Sequence, residues 1–178
     1  MRDAGTRQRF EQQVLVHLDA AYNLARWITR DAAGADDSVQ DACLRALRFF
    51  DTQHGVSVKA WFMAIVRNVC LDWIAAQRRL EGHEPYDEED GVAHSLPTAE
   101  SPEAALTRAS EARWVRQCIA SLPREYREVV VLRELEELSY KEIGAIVDVP
   151  VGTVMSRLAR GRALLQERLV ESRRRTHS

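Results

Sequence analysis

The feature that most constrains this chain is a stretch with no means of folding by itself. Residues 81–105 hold eight acidic residues, no Lys or Arg, and three prolines. They lack the apolar periodicity that a packed element needs, so they read as a disordered linker. Each flank must then bury its own core, which predicts two units, residues 1–80 and 106–178. In both flanks apolar residues recur at three and four rather than at two, and only eight glycines and five prolines interrupt the 178 residues. The expected class is all-α: two small helical domains joined by a flexible acidic linker.

The same stretch distorts the charge average. The formal charge of −2, taken whole, argues against a nucleic-acid binder. Yet residues 1–80 carry 11 Lys/Arg against 9 Asp/Glu, residues 81–105 none against 8, and residues 106–178 carry 14 against 10. Two mildly basic halves are masked by an acidic strip. Cys43, Cys70 and Cys118 are odd in number and far apart, with no metal-ligand spacing, and read as small buried residues of a reducing compartment. No stretch approaches the roughly 20 apolar residues of a membrane span, and Met1–Phe10 has no apolar signal core. A cytoplasmic protein without direct membrane insertion is expected.

Along the chain, Phe10–Arg30 keeps Phe10, Val14, Leu18, Ala21, Tyr22, Ala25 and Ile28 on one face and reads as a helix that Asp31–Ala35 ends. Asp36-Asp37-Ser38 announces a second helix to Phe50, and Asp51–Ser57 a loop. Val58–Arg79 has a wide apolar stripe through Trp61, Phe62, Ile65, Val66, Val69, Trp73 and Ile74, which leaves Met63 and Arg67 nearer the other face. In the second half, helices are expected over Leu106–Ala120 and Arg124–Leu135. Ser139 and Glu142 make a capping box for Tyr140–Val147. Asp148-Val149-Pro150 is a tight turn, and a helix from Val151 or Gly152 to Val170 precedes the tail Arg173-Arg174-Arg175.

A short helix, a three-residue turn and a long arginine-rich helix have the outline of a helix-turn-helix. At 100° per residue, Val154, Leu158, Gly161, Leu165 and Leu169 share one side, while Ser156, Ala159, Arg160 and Ala163 point away. That outward face is small, polar and basic, as a helix lying in a major groove about 12 Å wide requires. Residues 151–178 hold seven arginines against Glu167 and Glu171, which favours a phosphate-facing helix.

Three motifs carry a family resemblance in this half: Leu122-Pro123-Arg124-Glu125-Tyr126-Arg127-Glu128-Val129, Tyr140-Lys141-Glu142-Ile143-Gly144, and Pro150 through Arg162. They resemble region 4 of the extracytoplasmic-function (group 4) sigma factors of the sigma-70 family. The first half resembles their region 2 through Asp36-Asp37-Ser38-Val39-Gln40-Asp41, Leu44-Arg45-Ala46, Phe49, Ala60-Trp61-Phe62, Ile65, Arg67-Asn68 and Asp72-Trp73. The resemblance covers nearly the whole chain, in the family's order. It implies a transcription initiation subunit whose partners are core RNA polymerase, through the clamp helices of its largest subunit, and promoter DNA. It further implies an anti-sigma factor, and no enzyme activity, cofactor, metal or small-molecule substrate.

Carried over by position, Asp36, Asp37, Asp41, Leu44, Arg45 and Phe49 fall in the polymerase-docking helix. The loop with His54 lies where the family captures a flipped base of the −10 element, and Arg67, Asn68, Arg78 and Arg79 follow it; an amide such as Asn68 suits a base out of its stack. For the −35 element, Met155, Ser156, Ala159 and Arg160 occupy base-facing positions. Arg157 and Arg162 suit phosphates, Thr153 and the free N–H groups of the helix start form a phosphate seat, and Lys141 lies on the preceding helix. Met155 and Ala159 depart from the Lys or Arg, and the aromatic or His, common there. This implies reading partly through thymine methyls and shape.

A promoter spacer of about 17 base pairs spans roughly 60 Å, which a 25-residue linker reaches only when stretched. Its acidity suits a basic polymerase channel better than DNA, although a plain tether fits equally. Either a compact form hiding Arg160 or an open one is permitted, and the end soon after Arg175 argues against an appended regulatory domain. The residues also allow a helix-turn-helix activator or repressor with an N-terminal sensing or dimerisation domain, which could not replace the housekeeping sigma on core polymerase. The scattered His17, His54, His83, His94 and His177 leave an enzyme as a remote third reading.

Overall fold

The computed structural model describes residues 4–55, 57–82 and 104–176, and every regular element among them is helical. The linker reading falls almost wholly on residues 83–103, outside the described set. Four helices form the first domain: α1 (Ala4–Gln13), α2 (Leu18–Thr29), α3 (Ala32–Phe49) and α4 (Val58–Leu80). The second contains α5 (Ala104–Ala120), α6 (Arg124–Val130), α7 (Tyr140–Val147) and α8 (Val151–Thr176).

The expected first helix is two. A 3-10 turn over Leu15–His17 separates α1 from α2 and redirects the chain, so that Phe10 meets Phe50 edge-on at 5.5 Å. The segment Asp31–Ala35, expected to be a break, is instead the start of α3. Asp31 caps it by accepting from the Gly34 N–H at 2.6 Å, which satisfies one of the orphan donors of a helix start. Gly34 is also a packing requirement: a Cβ there would lie 2.4 Å from the Trp73 ring.

Ser57 caps α4 by accepting from the Ala60 N–H at 3.1 Å. This helix packs on α2 and α3 and also on α7 of the second domain. Met63, expected near the outer face, is consequently fully buried with Phe62 and Val66, because a helix with neighbours on more than one side has no single apolar stripe.

In the second domain α6 starts at Arg124 as expected, with Pro123 as its cap residue. The expected helix to Leu135 becomes a π-helical segment over Val131–Leu135. Ser139 and Glu142 form the expected capping box: Ser139 Oγ accepts from the Glu142 N–H at 3.2 Å and Glu142 Oε2 from the Ser139 N–H at 2.9 Å. Asp148 ends α7 in the left-handed region at φ 57°. The following turn lies so close to Gly144 that a Cβ there would sit 2.9 Å from the Val149 carbonyl. Val154 and Leu158 of α8 are buried, with Ile143, Ile146 and Val129–Leu132 in the same core.

Candidate nucleic-acid interface

The burial of Val154 and Leu158 fixes the roll of α8, and it turns Met155, Ser156, Ala159 and Arg160 outward. Met155 is 53% exposed, and Ser156 Oγ donates to the Thr153 carbonyl at 3.0 Å, which draws its hydroxyl back to the helix. Arg160 and Lys141 are exposed. Arg157 and Arg162 are engaged with glutamates of the preceding segment. Arg157 lies 3.6 Å from Glu125, and Arg162 donates to Glu134 at 2.9 and 2.6 Å. That hydrogen bonding raises the Arg162 pKa above its ordinary value.

The helix start differs in detail from expectation. Pro150 O accepts from Thr153 N–H at 2.9 Å and from Val154 N–H at 3.1 Å, so a phosphate seat here would rest on the N–H groups of Val151 and Gly152. Nothing lies within 4 Å of a Cβ built at Gly152, so the approach is open.

In the first domain, α3 presents Asp36, Asp37, Leu44, Arg45 and Phe49 to solvent, with Leu44 66% and Phe49 54% exposed. Arg45 bridges Asp41 at 2.9 Å and Asp72 at 3.4 Å, fixing the polar edge of this strip. Two exposed apolar side chains flanked by charges form a surface suited to a protein partner.

The residues expected to face the −10 element are divided. His54, Asn68 and Arg79 are exposed. Arg78 is half-buried and lines a cleft between the domains with Arg30 and Trp73. Arg67 is turned into the second domain: its Nε donates to Glu128 Oε2 at 2.8 Å, and the two side chains are only 15% and 3% exposed.

Sequence reasoning missed the groups that join the domains. Lys59 Nζ donates to the Glu136 carbonyl at 3.0 Å and lies 3.6 Å from its carboxylate, and Asn23 Nδ2 donates to Glu136 Oε1 at 2.7 Å. Ser57 Oγ donates to Glu142 Oε1 at 2.7 Å, and Arg30 donates to the Ala120 carbonyl. The Ser57 bond, followed by the Ser139 N–H, lowers the Glu142 pKa. One signal was available, since the charged pair Arg127-Glu128 abuts the apolar run Val129–Leu132, and both residues are buried.

Burial pushes the Cys70 thiol up to about 11, far from the thiolate that reacts or binds metal. Among the described residues no group of three His, Cys, Asp or Glu is arranged to hold a metal ion, and no helix is long and apolar enough to cross a membrane.

Known proteins share this arrangement. The Sigma-70 region 2 family matches residues 14–80, and the Sigma-70, region 4 family matches residues 112–165. The chain is 32% identical over 170 residues to the RNA polymerase sigma-H factor of Pseudomonas aeruginosa, covering 93% of this chain and 88% of that protein. It is 31% identical over 180 residues to the ECF RNA polymerase sigma factor SigW of Bacillus subtilis, covering 93% and 91%. It is also similar to a chain in the co-crystal structure of the sigma factor RpoE with the anti-sigma factor NepR from Bartonella quintana. There the TM-score is 0.71 at 25% identity, covering 91% of this chain and 97% of that one. Two region matches in order, on relatives spanned almost end to end, identify the chain as a member of the extracytoplasmic-function sigma factors of the sigma-70 family.

Proposed function

We propose that this protein is an alternative sigma factor that binds core RNA polymerase and directs promoter-specific initiation, residues 1–80 serving polymerase and the −10 element and residues 106–178 the −35 element. The observation that carries this reading is the roll of α8, whose buried Val154 and Leu158 leave a small, polar, arginine-bearing face open to a major groove. Base contact is assigned to Met155, Ser156, Ala159 and Arg160, and phosphate contact to Arg157, Arg162, Lys141 and the helix start around Thr153. On the first domain, His54, Arg67, Asn68, Arg78 and Arg79 are assigned to the −10 element. Asp36, Asp37, Asp41, Leu44, Arg45 and Phe49 are assigned to the polymerase clamp.

An anti-sigma factor as partner is supported by the resemblance to RpoE, which was crystallised with one. Action in the cytoplasm, beside polymerase, and the lack of a catalytic role follow from the same reading. The linker, residues 81–105, would be the strap between promoter elements.

The decisive experiment adds the purified chain to core polymerase and sequences the transcripts. Initiation from a shared promoter motif is expected without any other sigma factor; a chain that works only beside the housekeeping sigma would be an activator or repressor instead. Within the motif so obtained, Arg160→Ala should weaken −35 binding by about 1 to 3 kcal/mol and relax one base position. A loss uniform across sequences would assign Arg160 to phosphate.

A further inference from the structure

Among the described residues, five hydrogen bonds run from the first domain to the second. Asn23, Arg30, Ser57, Lys59 and Arg67 of the first domain donate; Glu136, Ala120, Glu142 and Glu128 of the second accept. Three of the acceptors are carboxylates set along the segment from α6 to α7. They face a hydroxyl, an ammonium and a guanidinium set along α4 and its cap. A nucleic-acid backbone presents the same pattern, because phosphate oxygens accept and never donate. The planar fork of a guanidinium grips carboxylate and phosphate with the same geometry.

We propose that Glu128, Glu136 and Glu142 are an intramolecular stand-in for nucleic acid: the second domain closes over the donors of α4, so that a promoter strand and the protein's own carboxylates compete for them. This rests on the reading of α4 as the DNA-facing helix of the first domain. The energetics suit a latch. Separating Arg67 from Glu128 with nothing in exchange leaves an uncompensated charge, whereas the pair itself returns little beyond its desolvation cost. Replacing the carboxylate by a phosphate keeps the guanidinium paired throughout, so opening is an exchange of anions. Interfaces between domains are commonly polar enough to open in this way. Glu128, 3% exposed and also approached by Arg124 at 3.7 Å, would pass to solvent as Arg67 passes to the strand.

The test uses the full chain without polymerase. Glu128→Gln with Glu136→Gln removes two latch charges and leaves the capping box intact. The expected result is a larger radius of gyration by X-ray scattering at unchanged helicity, together with an affinity for a generic single-stranded DNA oligonucleotide raised several-fold at constant salt. A control with the same charge change away from the latch, Glu11→Gln with Glu167→Gln, should remain compact and gain less. A latch variant as compact as the parent, or a gain no larger than the control's, would overturn the proposal.

Should the double variant lose helicity, the charge swap Arg67→Glu with Glu128→Arg replaces it. Each single change should expand the chain and the pair restore compactness; compact single variants would sink the latch. The reading of α4 is checked separately by Arg67→Ala in the opened background. Loss of oligonucleotide binding is expected, and no loss would remove α4 from the DNA contact and the competition with it, while the closure still stood on the scattering.

Discussion

Arg162 and Arg67 both face a glutamate, and the difference between the two pairs separates the two candidate interfaces. Arg162 meets Glu134 at 2.6 Å with the side chains 50% and 46% exposed; Arg67 meets Glu128 at 2.8 Å with 15% and 3% exposed. An exposed pair contributes little and separates easily, so Arg162 can turn to a phosphate at small cost. A buried pair has no such freedom, because water cannot take over from the lost partner. Thus α8 keeps its outward arginine-bearing face open, while Arg67 on α4 is covered. A compact form hiding Arg160 was one possibility from sequence; the closed form leaves Arg160 exposed and covers Arg67.

The comparison is broken most severely by removing what anchors α4. Phe62 is fully buried, and Phe62→Ala should cost about 3 to 5 kcal/mol. If the domains are coupled through α4 and α7, urea unfolding will show both destabilised; a second domain melting as before would mean that the contact transmits nothing. Next in size is the cap of α7. Ser139→Ala removes the bond from Ser139 Oγ to the Glu142 N–H and should cost about 1 kcal/mol, read as increased hydrogen exchange at the α7 amides with α8 less affected.

Smaller still is Arg162→Ala, with less than about 1 kcal/mol of stability lost. Its mark should be a shallower salt dependence of −35 binding, without altered base preference. An altered preference would place Arg162 among the base readers.

The smallest effect concerns pH and belongs to the latch side of the comparison. The Glu142 pKa is lowered, first by the Ser57 bond. The stabilisation it gives is therefore full above the ordinary glutamate value of about 4.3 and fades as pH falls through the lowered value. Acid titration of compactness should show this loss, and Ser57→Ala should reduce it. A titration that Ser57→Ala leaves unchanged would separate Glu142 from the closure.

Much of the molecule was legible because it is local. The capping box at Ser139 and Glu142, the turn at Asp148 and the inward side of α8 at Val154, Leu158 and Gly161 each follow from spacing within one or two turns. Errors arose where a local signal met a distant neighbour. Asp31–Ala35 read as a break because the role of its Gly34, to admit the Trp73 ring, lies in a distant contact. Met63 read as outward because α4 has neighbours on more than one side. The α1–α2 break was invisible because both segments keep the same periodicity, and only the packing of Phe10 on Phe50 depends on the bend.

The sequence by itself determined the helical class, the capping box of α7, the outward face of α8 and the family, since all rest on spacings of a few residues or on ordered motifs. Tertiary structure alone decided which of the candidate DNA-contacting groups are available. Arg67 lies 61 positions from Glu128, Ser57 85 from Glu142, and Asn23 113 from Glu136. Partnerships over such separations leave no periodic trace, and they exist only once each helix has buried its apolar side and the polar remainders of the two domains meet.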